Sequence, residues 1–275
     1  MKMDIAFGQY CEGNSLLHRL DPRAKIIITI LYIVAIFLAK NVFAFALLLL
    51  FTAALVLMSR LSVRVILNGL KPILFIALFT AVINVFFYKG DEPLVAFWII
   101  KIYKEGLINA GLIVLRILML LTATSMFLTY TTTPIALTDG MEQLLYPLSK
   151  IGVPVHDFAM MMTIALRFIP TLIEETEKIM NAQKARGADF SSGGLVKRAR
   201  AIVPIIIPLF VSAFRRAGDL ATAMECRCYT GGKGRTRMNV LHAGVKDVLF
   251  TLLIILLGAA VVIINMFAPG YSVGI

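Results

Sequence analysis

The chain has 275 residues, 59% of them hydrophobic and 16% charged, with a formal net charge of +11. A soluble domain carries about 25% charged residues. A water-soluble fold of this size could not hide so much apolar surface, so the composition makes the lipid bilayer the solvent. Three cysteines, Cys11, Cys226 and Cys228, and three scattered histidines exclude a disulfide framework and offer no zinc-ligand spacing.

Residues 1–25 hold seven acidic, basic or histidine side chains between Asp4 and Lys25 and no apolar core of a signal peptide. The first apolar run is therefore expected to remain as a membrane helix. It extends from Ile26 to Met58 and is broken at Ala39-Lys40-Asn41, which predicts two short spans joined by a tight turn. Asp21-Pro22 supplies the start signal, Asp as N-cap and Pro in the first turn. A third span is predicted from about Pro72 to Tyr88, closed by the polar cluster Lys89-Gly90-Asp91-Glu92-Pro93. Phe97-Trp98-Ile99-Ile100 is too short to span and suits the interface, where Trp is favoured. A fourth span follows from about Gly106 to Tyr130. It contains Arg116, which reads as a residue that snorkels or pairs inside the bundle, with a functional role as the alternative.

Residues 131–243 change character. A short helix is predicted over 134–149, broken at Gly152-Val153-Pro154. A long helix from about Val155 to Arg186 should bend at Pro170. After a loop at 189–194, a second long helix runs from about Leu195 to Cys228, with Pro204 and Pro208 inside it. Their apolar parts, Phe158–Ile173 with Arg167 within it and Ala201–Phe214, are short for a span. Both helices are therefore expected to lie against the membrane or the other spans, with charged ends in water. A last span runs from about Val248 to Phe267.

With the N-terminus in the cytoplasm, Arg60, Arg64 and fifteen Lys or Arg residues between Lys150 and Lys246 fall inside. Outside are Lys40, Lys89, Lys101 and Lys104. That asymmetry predicts about five spans, N-in and C-out, and accounts for the net charge without a nucleic-acid partner. The expected class is an all-α polytopic membrane protein. Residues 1–130 carry four transmembrane helices, 131–243 form a cytoplasmic or interfacial helical segment, and 244–275 hold the final span and tail.

No catalytic set is visible. Gly231-Gly232-Lys233-Gly234 lacks the spacing and the hydroxyl residue of a phosphate-binding loop, and there is no nucleophile elbow or H-E-x-x-H. What stands out is a repeated arrangement. The long helices end in Ala185-Arg186-Gly187 and Cys226-Arg227-Cys228, each an Arg between two small residues. Small neighbours let another protein approach closely, and Gly187 suits the left-handed position after a helix. The Arg fork can hold a carboxylate through two hydrogen bonds. One such Arg would read as compensation of the helix dipole; two at successive helix ends point to docking. The motifs are expected tens of ångströms apart, from helices about 50 Å long.

With these residues the chain resembles the transmembrane T component of energy-coupling factor (ECF) transporters, the EcfT/CbiQ-like family. The resemblance is carried by His18-Arg19-Leu20-Asp21-Pro22-Arg23, Ala185-Arg186-Gly187, and Cys226-Arg227-Cys228 preceded by Met224-Glu225, and it covers nearly the whole chain. It implies a non-catalytic subunit in a bacterial or archaeal cell membrane, whose two arginine motifs dock on two ABC-type ATPase subunits. ATP would be bound by those partners, with no cofactor on this chain. It also implies a substrate-capturing S component in the membrane, with a micronutrient, of the vitamin type, as cargo. A dedicated cobalt or nickel component is the alternative. A stand-alone channel or secondary transporter would be expected to show inverted repeats, and none is visible.

Overall fold

The computed structural model describes residues 10–87, 93–97, 100–188, 190, 194–231 and 241–267. Eight α-helices occur among them: α1 (Pro22–Leu38), α2 (Val42–Ser59), α3 (Val63–Phe87), α4 (Lys104–Thr124), α5 (Pro134–Leu145), α6 (Val155–Ala185), α7 (Leu195–Cys226) and α8 (Val245–Phe267). The chain divides into two compact units, Met1–Gln143 with Val240–Ile275, and Leu144–Asn239. Six helices, α2, α3, α4, α6, α7 and α8, are long and apolar enough to cross a membrane, and α6 and α7 are the least apolar of them. With α1, whose 17 residues reach the low end of spanning length, this is an all-α polytopic membrane protein.

Several predicted boundaries move, each for a local reason. Pro72 does not open the third span but lies inside α3, which begins nine residues earlier at Val63. The helix runs through it with the Asn68 carbonyl lacking its usual donor, because proline has no N–H. The fourth span continues α4 as a π-helical turn, Ser125–Tyr130. The wider turn lets the Thr132 hydroxyl reach back five residues to the Phe127 carbonyl at 2.8 Å. α5 stops at Leu145 and tightens into a 3₁₀ turn, Tyr146–Ile151, where Pro147 has no N–H to continue the α ladder. Phe97 and Ile100, from the segment expected at the interface, pair in an antiparallel hairpin of β1 (Pro93–Phe97) with β2 (Ile100–Tyr103). Val95, Ile100, Ile102 and Tyr103 are residues that favour strands. Residues 98 and 99, including the tryptophan, lie outside the described residues.

In the first unit α1 packs on α8, and α3 on α4. The core holds Ile28, Tyr32 and Ile36 of α1, Phe45 and Leu48 of α2, Met119 of α4, and Ile254 and Val261 of α8. Helices in lipid gain nothing from hiding apolar surface from one another, so close approach between small residues matters more. Ala35, Ala39 and Ala44 are all but fully buried. A Cβ on Gly258 would sit 3.9 Å from that of Ala35, so α8 already lies close against α1.

The predicted break at residues 39–41 is a real turn, and its backbone is satisfied from two other helices. Asn265 of α8 donates to the Leu38 carbonyl at 2.7 Å, and Asn41 donates to the Ile264 carbonyl at 3.2 Å. Arg116 of α4 donates to the Ala39 carbonyl at 2.8 Å and lies over the Phe45 ring, 5.1 Å from its centre. Arg116 therefore pairs within the bundle. It caps the carbonyl end of α1, where a cation is favoured, and an open carbonyl in lipid would be costly.

Tyr130 ends the π-helical turn almost fully buried, and its hydroxyl touches the site where Gly69 would carry a side chain. Gly69→Ala is expected to lower stability by about 1–3 kcal/mol, the usual range for overpacking. In a Tyr130→Phe background, which removes the obstructing oxygen, the same change should cost clearly less. Thermal unfolding of the four proteins in detergent measures the coupling, and equal losses in both backgrounds would refute the contact.

Candidate functional site

The two arginine motifs occupy matching backbone structures. α6 ends at Ala185 and α7 at Cys226, so Arg186 and Arg227 are the capping residues, one position later than the last helical residue. At the first cap the Gly187 N–H donates to the Lys184 carbonyl at 2.9 Å, and the Ala188 N–H to the Gln183 carbonyl at 3.0 Å. At the second the Cys228 N–H donates to the Glu225 carbonyl at 2.8 Å, and the Tyr229 N–H to the Met224 carbonyl at 3.0 Å. These are the two bonds of a Schellman cap, made twice. Both motifs are exposed, and no hydrogen bond or ion pair holds either guanidinium among the described residues.

The third residue of each motif has a conformational duty. Gly187 has φ +88° and Cys228 has φ +53°, the left-handed region that closes such a cap. Glycine adopts it freely, whereas an L side chain pays about 1–2 kcal/mol there. Cys228→Gly is accordingly expected to raise the stability of this helix end by up to about 1 kcal/mol, and a β-branched Cys228→Val to lower it. Hydrogen exchange at Glu225–Tyr229 would report the change. No difference between the Gly and Val variants would show that the cap is not strained.

The helices touch where Arg216 of α7 donates to Glu175 of α6 at 2.9 Å. Ser212 and then Arg216 hold the Glu175 carboxyl below its ordinary pKa. A plain hairpin folded near residue 190 would bring Glu175 to about residue 205, where α7 offers Ile205 between Pro204 and Pro208. The carboxylate instead meets Arg216, eleven residues further along α7. Both side chains keep some solvent exposure, so the pair contributes only about 0–1 kcal/mol and marks the contact more than it secures it. Arg186 lies eleven residues beyond Glu175, and Arg227 eleven residues beyond Arg216. Each cap is thus about 16 Å from the shared contact, which bounds the separation of the motifs at roughly 40 Å.

Along α7 an apolar stripe stays uncovered: Ile202, Val203, Ile206, Ile207, Phe210, Val211 and Phe214 are each 47–64% exposed. The spacing of three and four residues puts them along one side of the helix, a continuous contact surface.

The His18–Arg23 motif belongs to the first unit, and the arginine caps belong to the second. His18 bonds the Ser15 hydroxyl at 2.7 Å and the Cys11 carbonyl at 2.8 Å, which folds the segment before α1. Asp21 caps α1 by accepting from the Arg23 N–H at 2.9 Å, and Arg23 donates to the Leu241 carbonyl at 2.7 Å. Two buried charges that the sequence did not single out complete this cluster. Lys25 is 1% exposed and donates to the Thr131 carbonyl at 2.7 Å and the Thr132 hydroxyl at 3.1 Å. Asp247, 6% exposed, accepts from the Asp21 N–H at 2.8 Å and the Gly244 N–H at 2.7 Å. The carboxylates whose charge acts on Lys25 are Asp247 and then Asp21. The motif therefore latches the first helix to the last one and to the end of the fourth span.

Residues 13–238 match the family model of CbiQ, a cobalt transport protein. The chain is 55% identical over 251 residues to the energy-coupling factor transporter transmembrane protein EcfT of Ruminiclostridium cellulolyticum, covering 91% of this chain and 93% of the relative. It is 51% identical over 253 residues to the EcfT of Clostridium kluyveri, with 92% and 93% covered. With the EcfT of Bacillus subtilis the identity is 48% over 259 residues, covering 94% and 97%.

Proposed function

The chain belongs to the family of transmembrane T components of ECF transporters, and from that premise we propose that it passes motion from two ABC-type ATPase subunits to an S component in the membrane. The supporting observation is the pair of matching caps. Each presents one arginine that has no partner among the described residues, and each is eleven residues from the contact between the helices. Two docking points of matching backbone geometry suit two partners of one kind. The uncovered stripe on α7 suits an apolar partner surface, and we assign it to the S component. ATP is bound and hydrolysed by the ATPase subunits. α6 and α7 are then coupling helices rather than spans, and α1–α4 and α8 are the five spans.

The family description names cobalt, whereas the relatives carry the general energy-coupling name. The latter favours a T component that serves vitamin-type S components, with a dedicated cobalt or nickel component as the second reading. Purification of the tagged chain from its native membrane tests the assignment. Two nucleotide-binding proteins and a small membrane protein should come with it, and the identity of the last decides the cargo. ATP hydrolysis by the chain free of partners would overturn it. The charge asymmetry also orients the chain with its N-terminus in the cytoplasm. In a cysteine-free background, Lys40→Cys should be labelled from outside and Ser149→Cys from inside; labelling of both from one side would refute this orientation.

A further inference from the structure

A cavity of about 500 Å³ opens beside the end of α2, lined in part by Asn14, Leu16, Arg19, Leu57, Met58 and Arg60. We infer that this cavity binds the phosphate headgroup of an anionic phospholipid through Arg19 and Arg60, with its acyl chains against Leu16, Leu57 and Met58. The assignment is independent of ATPase docking and of which face of the membrane the cavity occupies.

Three observations carry it. The first is charge. Two arginines line one cavity, both are exposed, and neither guanidinium has a partner among the described residues. No acidic side chain lines the cavity among the described residues. The negative end of the α2 dipole, about half a charge, opposes an anion there but is outweighed by two full positive charges.

The second is the wall. Leu16 is 51% exposed, Leu57 79% and Met58 37%, and the last two belong to the final turn of a spanning helix. An apolar wall leading from the hydrocarbon to a basic pocket at the helix end matches the two parts of a phospholipid, and basic pockets of this kind hold anionic headgroups. A free phosphate would use the arginines and leave that wall unoccupied.

The third is backbone conformation. Arg60 caps α2 with φ +54°, the left-handed region that glycine adopts without strain. A cap alone is better served by glycine, so the arginine is placed there for what its side chain holds.

That conflict between cap and side chain gives the test its resolving power. The full chain, with whatever partners co-purify, is reconstituted in nanodiscs of phosphatidylcholine with or without phosphatidylglycerol. Lipid retained after mild delipidation is counted by native mass spectrometry, and thermal stability is read alongside. Wild type should retain phosphatidylglycerol over phosphatidylcholine, and Arg19→Gln and Arg60→Gly should each lower that preference about fivefold, the share expected of one arginine at an anionic surface. Arg60→Gly should at the same time raise the melting temperature in pure phosphatidylcholine, because it relieves the cap. A variant that is more stable yet has lost the lipid separates ligand binding from folding. Unchanged phosphatidylglycerol retention in Arg60→Gly would overturn the site. So would equal loss of both lipids, which would mark a general loosening of the bundle. Stabilisation of wild type by inorganic phosphate in neutral lipid, to the same extent as by phosphatidylglycerol, would show an anion site and overturn the lipid assignment.

Discussion

Arg186→Ala and Arg227→Ala are each expected to abolish most substrate uptake while leaving the chain folded and inserted. If each arginine docks on its own ATPase subunit, the two contacts act in series and neither can replace the other. Losing one partner of a buried, hydrogen-bonded charge pair costs about 2–5 kcal/mol, a factor of about thirty or more in docking. The effect on the chain itself should be small. Both side chains are exposed and without partners among the described residues, so only the dipole contribution of about 0.3–1 kcal/mol is lost. Lysine should rescue poorly, since its ammonium cannot form a bidentate fork. Uptake and ATPase pull-down in both single mutants and the double mutant measure this. Near-normal uptake in both single mutants would reduce the motifs to helix ends and remove the proposed mechanism.

Asp247→Ala should have the largest effect on stability. Asp247 satisfies the backbone N–H groups of Asp21 and Gly244, and its charge acts on the buried Lys25. Removing its side chain leaves two N–H donors unsatisfied, at about 1–3 kcal/mol each, and takes one of two carboxylates away from Lys25. Asp247→Asn keeps an acceptor but no charge and should fall between wild type and Ala. Combining Asp247→Ala with Lys25→Met also removes the buried cation, which has then lost one of its two carboxylates, so the double variant should be more stable than Asp247→Ala alone. Folded yield and unfolding temperature in detergent give the order. If the double variant is the least stable of the three, the two charges do not depend on one another.

The parts of this architecture written in local sequence were readable. Lys40 and Asn41 interrupt an apolar run and become a turn; Asp21 and Pro22 open α1 as N-cap and first-turn proline. The caps were readable because Ala185-Arg186-Gly187 ends in a glycine, although nothing local to Cys228 signals that it takes the same left-handed geometry. Pro72 misled because proline favours a first turn, and only tertiary packing holds it inside a helix at the cost of a backbone hydrogen bond. The latch was hidden for a different reason. Asp247 is 226 residues from the backbone group of Asp21 that it binds, and in sequence both Lys25 and Asp247 look like ordinary polar residues flanking a span. Arg116 was visible as a charge in an apolar run, while its target, the Ala39 carbonyl, required the packing of α4 against the first turn.

The contact of Glu175 with Arg216 divides α6 and α7 so that the stretches leading to Arg186 and Arg227 have the same number of residues. In mechanical terms it is a fulcrum with equal arms. Equal pushes on the two ends would produce equal moments about it, so partners docked there would have no leverage over one another. Equal rotations of the arms would also carry the two ends through strokes of equal length. A residue inserted between Glu175 and Arg186 would lengthen one arm by only about 1.5 Å but turn its arginine about 100° around the helix axis. The balance between the arms is therefore protected less by their length than by the angular phase of the two guanidinium groups.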